Sequence, residues 1–187
     1  MGRVALVTGA NKGVGYHIAQ QLVTSGLFSH VILGCRDPVA GSKAALEIGA
    51  HFLQPIDISS TESASAFVAS LQSTYGRLDV LVNNAAIAFK GSDPTPFEKQ
   101  TAPTLDTNYR GTLDLVTRCL PLLRQGDDAR IVNVASMAGR LSQLSPELQR
   151  EFSSNSLTLE QLNSLVDLFQ SDVARGTHKA NGWSSSN

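Results

Sequence analysis

The sequence predicts an α/β protein, a doubly wound parallel sheet with helices on both faces. Three observations carry that expectation. Short, continuously apolar runs recur along the first 135 residues, helix-length amphipathic stretches separate them, and the earliest run leads into a glycine-rich turn. Runs that are apolar at every position belong to strands buried on both faces. Strands that alternate with helices pair in parallel.

Strands are expected at residues 4–7, 31–33, 78–82 and 131–134, with a weaker one at 51–54. Residues 13–25 place Val14, Ile18, Leu22 and Val23 on one helical face. Residues 61–75 do the same with Ala64, Phe67, Val68 and Leu71, and residues 107–124 with Leu113, Val116, Leu120 and Leu123. The order is βαβαβαβαβ. After residue 134 the rhythm changes. Ser145-Pro146-Glu147 reads as a helix start with proline at the first helical position. Thr158-Leu159-Glu160-Gln161 reads as a capping box, leading a helix with Leu162, Leu165, Val166, Phe169 and Val173 on one stripe. Residues 137–182 are therefore expected to be a helical insertion after the fifth strand of a single domain spanning 1–187, rather than a second domain.

Composition removes several classes of function. The chain has 187 residues, 42% hydrophobic and 17% charged, which suits one globular domain and not a disordered chain. Fifteen basic against sixteen acidic side chains leave a net charge of −1, without the basic excess of a phosphate-contacting nucleic-acid binder. Cys35 and Cys119 make neither a disulfide scaffold nor a zinc site, and free thiols suit a reducing cytosol. Met1-Gly2-Arg3 runs into Val4-Ala5-Leu6-Val7, too short for a signal sequence, and Leu6 stands where a myristoylation motif needs Ser or Thr. No apolar run approaches the roughly 18 residues of a membrane span. The expectation is a soluble cytoplasmic protein with no membrane or nucleic-acid partner.

The first strand-to-helix turn, Thr8-Gly9-Ala10-Asn11-Lys12-Gly13-Val14-Gly15, has the context of a phosphate-binding glycine loop. Gly9 permits a tight exit from the strand. Gly13 and Gly15 let backbone amides and the helix N-terminus approach a pyrophosphate, where the helix dipole favours negative charge. The spacing is G-x-x-x-G-x-G, because Ile18 stands where the third glycine of G-x-G-x-x-G would be.

The end of the second strand, about 20 positions beyond such a loop, is where an adenosine ribose sits, and an acid there selects NAD. Cys35 occupies that end, with Arg36 next and Lys12 in the loop; two cations converging on one ribose favour the phosphorylated cofactor, NADPH. Asp37 is the counter-indication, although it lies further along and is also placed to cap a helix after Pro38. As solvated surface charges, Lys12 and Arg36 would need no explanation. Ser136, at the carboxyl end of a strand read as buried, lies where open α/β sheets bind ligands. An ordinary strand-terminal serine is the usual reading of such a residue. Only a family resemblance gives its hydroxyl the role of donating to a substrate carbonyl and stabilising the alkoxide formed on hydride transfer. His17, His30, His51 and His178 are scattered without metal-ligand spacing. Val-Ala-Ser-Met around Ser136 is not a hydrolase elbow.

Together these motifs resemble the short-chain dehydrogenase/reductase family, whose glycine loop is T-G-x-x-x-G-x-G. Other landmarks follow in order. Asp57, with Ile58 beside it, matches the aspartate that contacts adenine in the family. Asn83-Asn84-Ala85-Ala86 resembles the family's N-N-A-G after the fourth strand. Asn108 resembles the helix asparagine that supports a proton path, and Ser136 the catalytic serine. Within the family the chain is most similar to the monomeric, NADPH-dependent carbonyl reductase branch. Asn11-Lys12-Gly13, Ile87-Ala88-Phe89-Lys90, Asp93-Pro94-Thr95-Pro96-Phe97, Ser145-Pro146-Glu147-Leu148-Gln149 and Gly182-Trp183 carry that similarity along essentially the whole chain. The resemblance implies a Rossmann-type fold, a small-molecule carbonyl substrate and a monomer whose insertion helices cover a common dimerisation surface.

One defining element is absent. The family's proton donor is a tyrosine followed four residues later by a lysine. Tyr16, Tyr75 and Tyr109 are instead followed by Gln20, Asp79 and Leu113, and none lies after Ser136. In the carbonyl reductase branch a segment like Gly182-Trp183-Ser184-Ser185-Ser186-Asn187 precedes that tyrosine. The chain is thus expected to be the amino-terminal part of a longer reductase, without the later strands of the family fold. Ala86, where the family has glycine, is tolerable if its φ is negative.

Two functions remain open. One is reduction of ketones, aldehydes or quinones by NADPH; the other is a catalytically inactive dinucleotide-binding module that senses cofactor or pairs with a protein. In either case the fifth strand becomes an open apolar edge. The 187-residue chain is expected to be weakly stable or aggregation-prone, an outcome that a cooperative, high-temperature melt of a soluble monomer would contradict.

Overall fold

The computed structural model describes residues 2–184. Met1 lies outside the described residues, as do Ser185, Ser186 and Asn187, which end the segment compared above with the approach to the catalytic tyrosine. Four parallel strands, β1 (Val4–Thr8), β2 (His30–Gly34), β3 (Val80–Asn83) and β4 (Arg130–Asn133), form one sheet in the order β2-β1-β3-β4. Helices α1 (Gly13–Thr24), α2 (Pro38–Ile48) and α3 (Thr61–Tyr75) follow in chain order. Beyond β3 come α4 (Phe97–Leu105), a π segment at Asp106–Gly111, and α5 (Thr112–Leu123); α6 (Pro146–Phe152) and α7 (Leu159–Ala174) follow β4.

The continuously apolar strands are buried on both faces because pleating sends alternate side chains to opposite sides. Val4 and Leu6 of β1 join Ile32 and Leu81 in one core, which Phe67 and Leu71 of α3 and Leu115 and Leu122 of α5 complete. Ala5 and Val7 join Val31, Leu33 and Val82 in the other, against Ala19 of α1 and Ala45 of α2. Each fully buried Leu, Ile or Phe contributes roughly 1.5–3 kcal/mol. At the amino ends of the strands, the buried Asp79 carboxylate accepts from the amides of Val4 and Asp127, each at 2.7 Å, and pairs with Arg77. Burial opposes ionisation of Asp79, but the Arg77 hydrogen bond and the two amides outweigh it, and its pKa is lowered.

Three expectations need correction. The weak strand at 51–54 is a single bridge, Ile32↔His51. The His51 amide donates to Val31 O, and its carbonyl accepts from the Leu33 amide, each at 2.8 Å. The next rung would take the Leu53 amide to Leu33 O, and that bond is not made among the described residues. Two residues on, Pro55 has no N–H to donate, and Cys35 O accepts from the Ile56 amide at 2.9 Å instead. The fifth apolar run does form a strand, β4, but not a buried one: Ile131 and Val132 are 41% and 47% exposed. As the last strand of the sheet, it has one strand neighbour, β3. The helix expected at 107–124 begins as the π segment and becomes α-helical only at Thr112.

The chain divides into two compact units, Met1–Ala86 with Thr107–Val134, and Ile87–Asp106 with Ala135–Asn187. In the second, α4 packs on α7. Both expected helix starts are present: Ser145 accepts from the Leu148 amide with Pro146 at the first helical turn, and Thr158 and Gln161 close a capping box. Near the end of α7 the Asp172 carboxylate, fully buried, accepts from Asn181 Nδ2 (2.8 Å), Trp183 Nε1 (2.9 Å), Arg175 (2.6 Å) and Thr177 (3.3 Å).

Those bonds, led by the one from Asn181, hold the Asp172 pKa down to about 2. A carboxyl depressed in the folded state adds stability above its unfolded pKa of about 4 and loses it as pH falls towards the folded value. The second unit is therefore expected to loosen between about pH 4 and pH 2, followed by Trp183 fluorescence. Asp172→Asn should lower stability at pH 7 and flatten that acid dependence; an unchanged acid profile in the variant would contradict the assignment.

Candidate active site

The glycine turn is held from the side by β3. Thr8, the last residue of β1, donates its hydroxyl to Val82 O at 3.3 Å and accepts from the amides of Asn84 (3.0 Å) and Ala85 (2.9 Å). Asn84 Nδ2 donates back to the carbonyls of Thr8 (2.8 Å) and Gly9 (3.2 Å). Gly9 has φ +64°, and a Cβ there would stand 2.9 Å from Ala85 Cα. At Gly15 a Cβ would collide with Asn84 Nδ2 and Gly9 O. These two glycines are required by the clasp itself, before any ligand is considered.

The turn opens onto the N-terminus of α1. Lys12 occupies the N-cap in an extended conformation and makes no side-chain cap bond. Side chains cap four of the other six helices, Asp37 at α2, Ser60 at α3, Ser145 at α6 and Thr158 at α7, whereas α4 begins at Pro96 and α5 continues from the π segment without one. The first-turn amides of α1 thus carry no side-chain cap, at the positive end of a twelve-residue helix. Lys12, Gly13 and Val14 are exposed at this mouth, and Asn11 is half-buried.

Arg36 and Asp57 lie on neighbouring chain segments, because the Ile56 amide bonds to the carbonyl of Cys35. Burial works against the Asp57 carboxylate, but donation from the Ser59 hydroxyl (2.7 Å) and amide (3.0 Å), with the charge of Arg36, lowers its pKa on balance. Asp37 caps α2, accepting from the amides of Val39 (2.9 Å) and Ala40 (3.0 Å). The Ile58 side chain is buried in the core, so its backbone is what it can offer a ligand. Ala86 is exposed and unstrained; among the described residues the non-glycine with positive φ is Asp128. Both cysteines are buried and free, and burial pushes the Cys119 thiol up to about 12.

The candidate catalytic residues fall in different units. Asn108 is exposed within the π segment, a rare helix form that recurs at functional sites. Ser136 lies beyond β4, in the second unit, where its Oγ accepts from the Ala138 amide at 3.2 Å and caps a short 3-10 turn. Its hydroxyl proton remains available for donation. Two residues on, Ala138 begins the wall of a cavity of about 330 Å³ within the same unit, lined also by Leu141, Leu144, Phe152, Phe169 and Trp183 with Arg140 beside them. Thr8 was read only as a motif letter; its threefold bonding had no sequence signal beyond its place before Gly9.

The profile of the short chain dehydrogenases matches residues 3–146. The chain belongs to that family. Carbonyl reductase [NADPH] 1 of Sus scrofa is 43% identical over 190 residues, covering 98% of this chain and 65% of the relative. The Homo sapiens protein of the same name is 44% identical, covering 98% and 67%. The chain thus spans about two thirds of the length of these relatives. Salutaridine reductase from Papaver somniferum superposes with a TM-score of 0.85 at 27% identity, over 98% of this chain and 74% of that one. Menthone neomenthol reductase from Mentha piperita gives 0.84 at 29%, over 97% and 77%. The short chain dehydrogenase fold, a parallel α/β sheet with flanking helices, is the one found here.

Removing the Thr8 hydroxyl strands two partly buried amides, each worth about 1–3 kcal/mol when left unpaired. Thr8→Val is expected to lower unfolding free energy by about 2–3 kcal/mol in urea and to speed hydrogen exchange at the Asn84 and Ala85 amides. Thr8→Ser, which keeps the hydroxyl, should do neither.

Proposed function

We propose that this chain carries the cofactor-binding portion of an oxidoreductase that reduces ketones, aldehydes or quinones to alcohols with NADPH. The carrying observation is the clasped glycine turn opening onto the uncapped N-terminus of α1. Two glycines that admit no Cβ and a set of unfilled helix amides fit a dinucleotide pyrophosphate. Gly9, Asn11, Lys12, Gly13, Val14 and Gly15 would line it. Lys12 and Arg36 would meet the 2′-phosphate, Asp57 and the Ile58 backbone the adenine, and Asn84, Ala85 and Ala86 the ribose side. The names of the Sus scrofa and Homo sapiens relatives support NADPH as the cofactor.

When bound, the nicotinamide supplies the hydride. Ser136 would donate its hydroxyl to the carbonyl oxygen and stabilise the growing alkoxide. Asn108 would position water for proton delivery. The apolar, aromatic cavity that starts at Ala138 suits a carbonyl compound with an apolar body. The same reading keeps one domain with a helical insertion, acting as a cytoplasmic monomer on a small molecule.

Titration followed by nicotinamide fluorescence should give NADPH at least tenfold tighter binding than NADH, with Arg36→Ala and Lys12→Ala each narrowing the gap. Equal affinity for the two would overturn the cofactor assignment. Residues 1–187 contain no Tyr-x-x-x-Lys. NADPH oxidation with a quinone by this chain should therefore stay at the uncatalysed rate while binding persists.

A further inference from the structure

Folding joins two histidines that stand 21 residues apart in the sequence. His30 opens β2, and His51 is the bridge residue paired with Ile32. His30 Nδ1 lies 3.3 Å from His51 Nε2, with ring centroids 5.1 Å apart and ring planes at 54°. The Tyr75 ring, at the end of α3, packs on His30 at 4.9 Å. Two 2.8 Å backbone hydrogen bonds, to Val31 and from Leu33, fix the His51 backbone against β2.

We propose that His30 and His51 form a two-nitrogen site for a divalent cation of the zinc class (Zn²⁺, Ni²⁺ or Cu²⁺), with water completing the coordination. Two imidazole nitrogens on a tetrahedral zinc, each about 2.0–2.1 Å from the metal, stand about 3.3–3.4 Å apart, the separation found here. Between directly hydrogen-bonded rings the lone pairs aim along the line joining the nitrogens, whereas a metal sits off that line. On a shared tetrahedral cation each metal–nitrogen bond leaves that line by about 35°, so the rings turn to share one. His51 is exposed and His30 half-buried, so both the turn and the entry of a hydrated ion are open. Imidazole ligands select Zn, Ni and Cu over Mg and Ca. Neither thiol competes, since Cys35 and Cys119 are both buried.

A cation held here would tie the segment after α2 to the sheet where backbone pairing has shrunk to a single bridge. The place is the amino end of β2, about 13 Å of strand from Gly34 at its other end. Gly34 O bonds the Gly9 amide of the glycine turn. Metal at the histidine pair is therefore separate from the dinucleotide reading, and each can fail alone.

Calorimetric titration of the metal-stripped 187-residue chain with zinc chloride tests the site. One zinc per chain is expected, with affinity falling at least tenfold in His30→Gln and in His51→Gln, while NADPH affinity is unchanged in both. Because a substitution could disturb folding, proton NMR of the unaltered chain gives a second readout. Substoichiometric Ni²⁺ should broaden the imidazole signals of His30 and His51 before those of His17 and His178. No zinc binding, binding that survives both substitutions, or broadening shared evenly among the four histidines would overturn the proposal.

Discussion

The Thr8 hydroxyl makes three hydrogen bonds at the point where β1 ends and the glycine turn begins, and Asn84 answers with two of its own. Five bonds between the ends of neighbouring parallel strands decide the path of the turn. Gly9 takes its positive φ to let the Ala85 backbone close in, and Gly15 lacks a Cβ so that Asn84 can reach across. The direction of α1, and of the amides it leaves uncapped, then follows. A candidate phosphate site thus rests on polar atoms that need never touch the phosphate.

Burial of β1 on both faces supplies the rigidity that this clasp requires. Strands that feed two separate cores cannot shift register by one residue without exchanging every side chain between them. The constraint fades outward across the sheet. β4 keeps the parallel register, Leu81↔Ile131 and Asn83↔Asn133, and Asn83 Nδ2 donates to Asn133 Oδ1 at 2.8 Å. Yet its apolar side chains remain exposed. Because the amides of Arg130 and Val134 point to β3, those of Ile131 and Asn133 face outward along the edge. An edge combining unpaired amides with exposed Ile and Val is a pairing template, which is why the isolated chain is expected to be aggregation-prone.

What was legible in the sequence was what periodicity and local capping determine. The helix read at 61–75 matches α3 end to end, and the capping box at Thr158 and Gln161 closes as expected. The parallel α/β class followed from runs apolar at every position. Features set by a partner distant in sequence were not legible. The apolar run at 51–54 shrinks to one bridge because only His51 pairs with β2, which the run's own composition does not show. The π segment around Asn108 is a change of hydrogen-bond register that side-chain pattern does not signal. His30 and His51 looked scattered because their meeting depends on strand pairing rather than on spacing along one element.

Charge at the end of β2 shows how a local capping rule can alter a functional reading. An acid in this neighbourhood would ordinarily argue for an unphosphorylated ribose, since it would accept from a 2′-hydroxyl and repel a 2′-phosphate. Asp37 cannot serve that role freely, because its Oδ1 is already engaged by the Val39 and Ala40 amides at the start of α2. A carboxylate placed at a helix N-terminus is stabilised by the dipole and held in one rotamer, pointing along α2. Arg36 has no such tie to α2, and the charge it shares a neighbourhood with belongs to Asp57. The acid that follows Arg36 in the chain is therefore turned to backbone amides, which supports the proposed contact of Arg36 with a 2′-phosphate. The order Cys35-Arg36-Asp37-Pro38 thereby separates a cation from a helix-starting acid, although the two are adjacent in the chain.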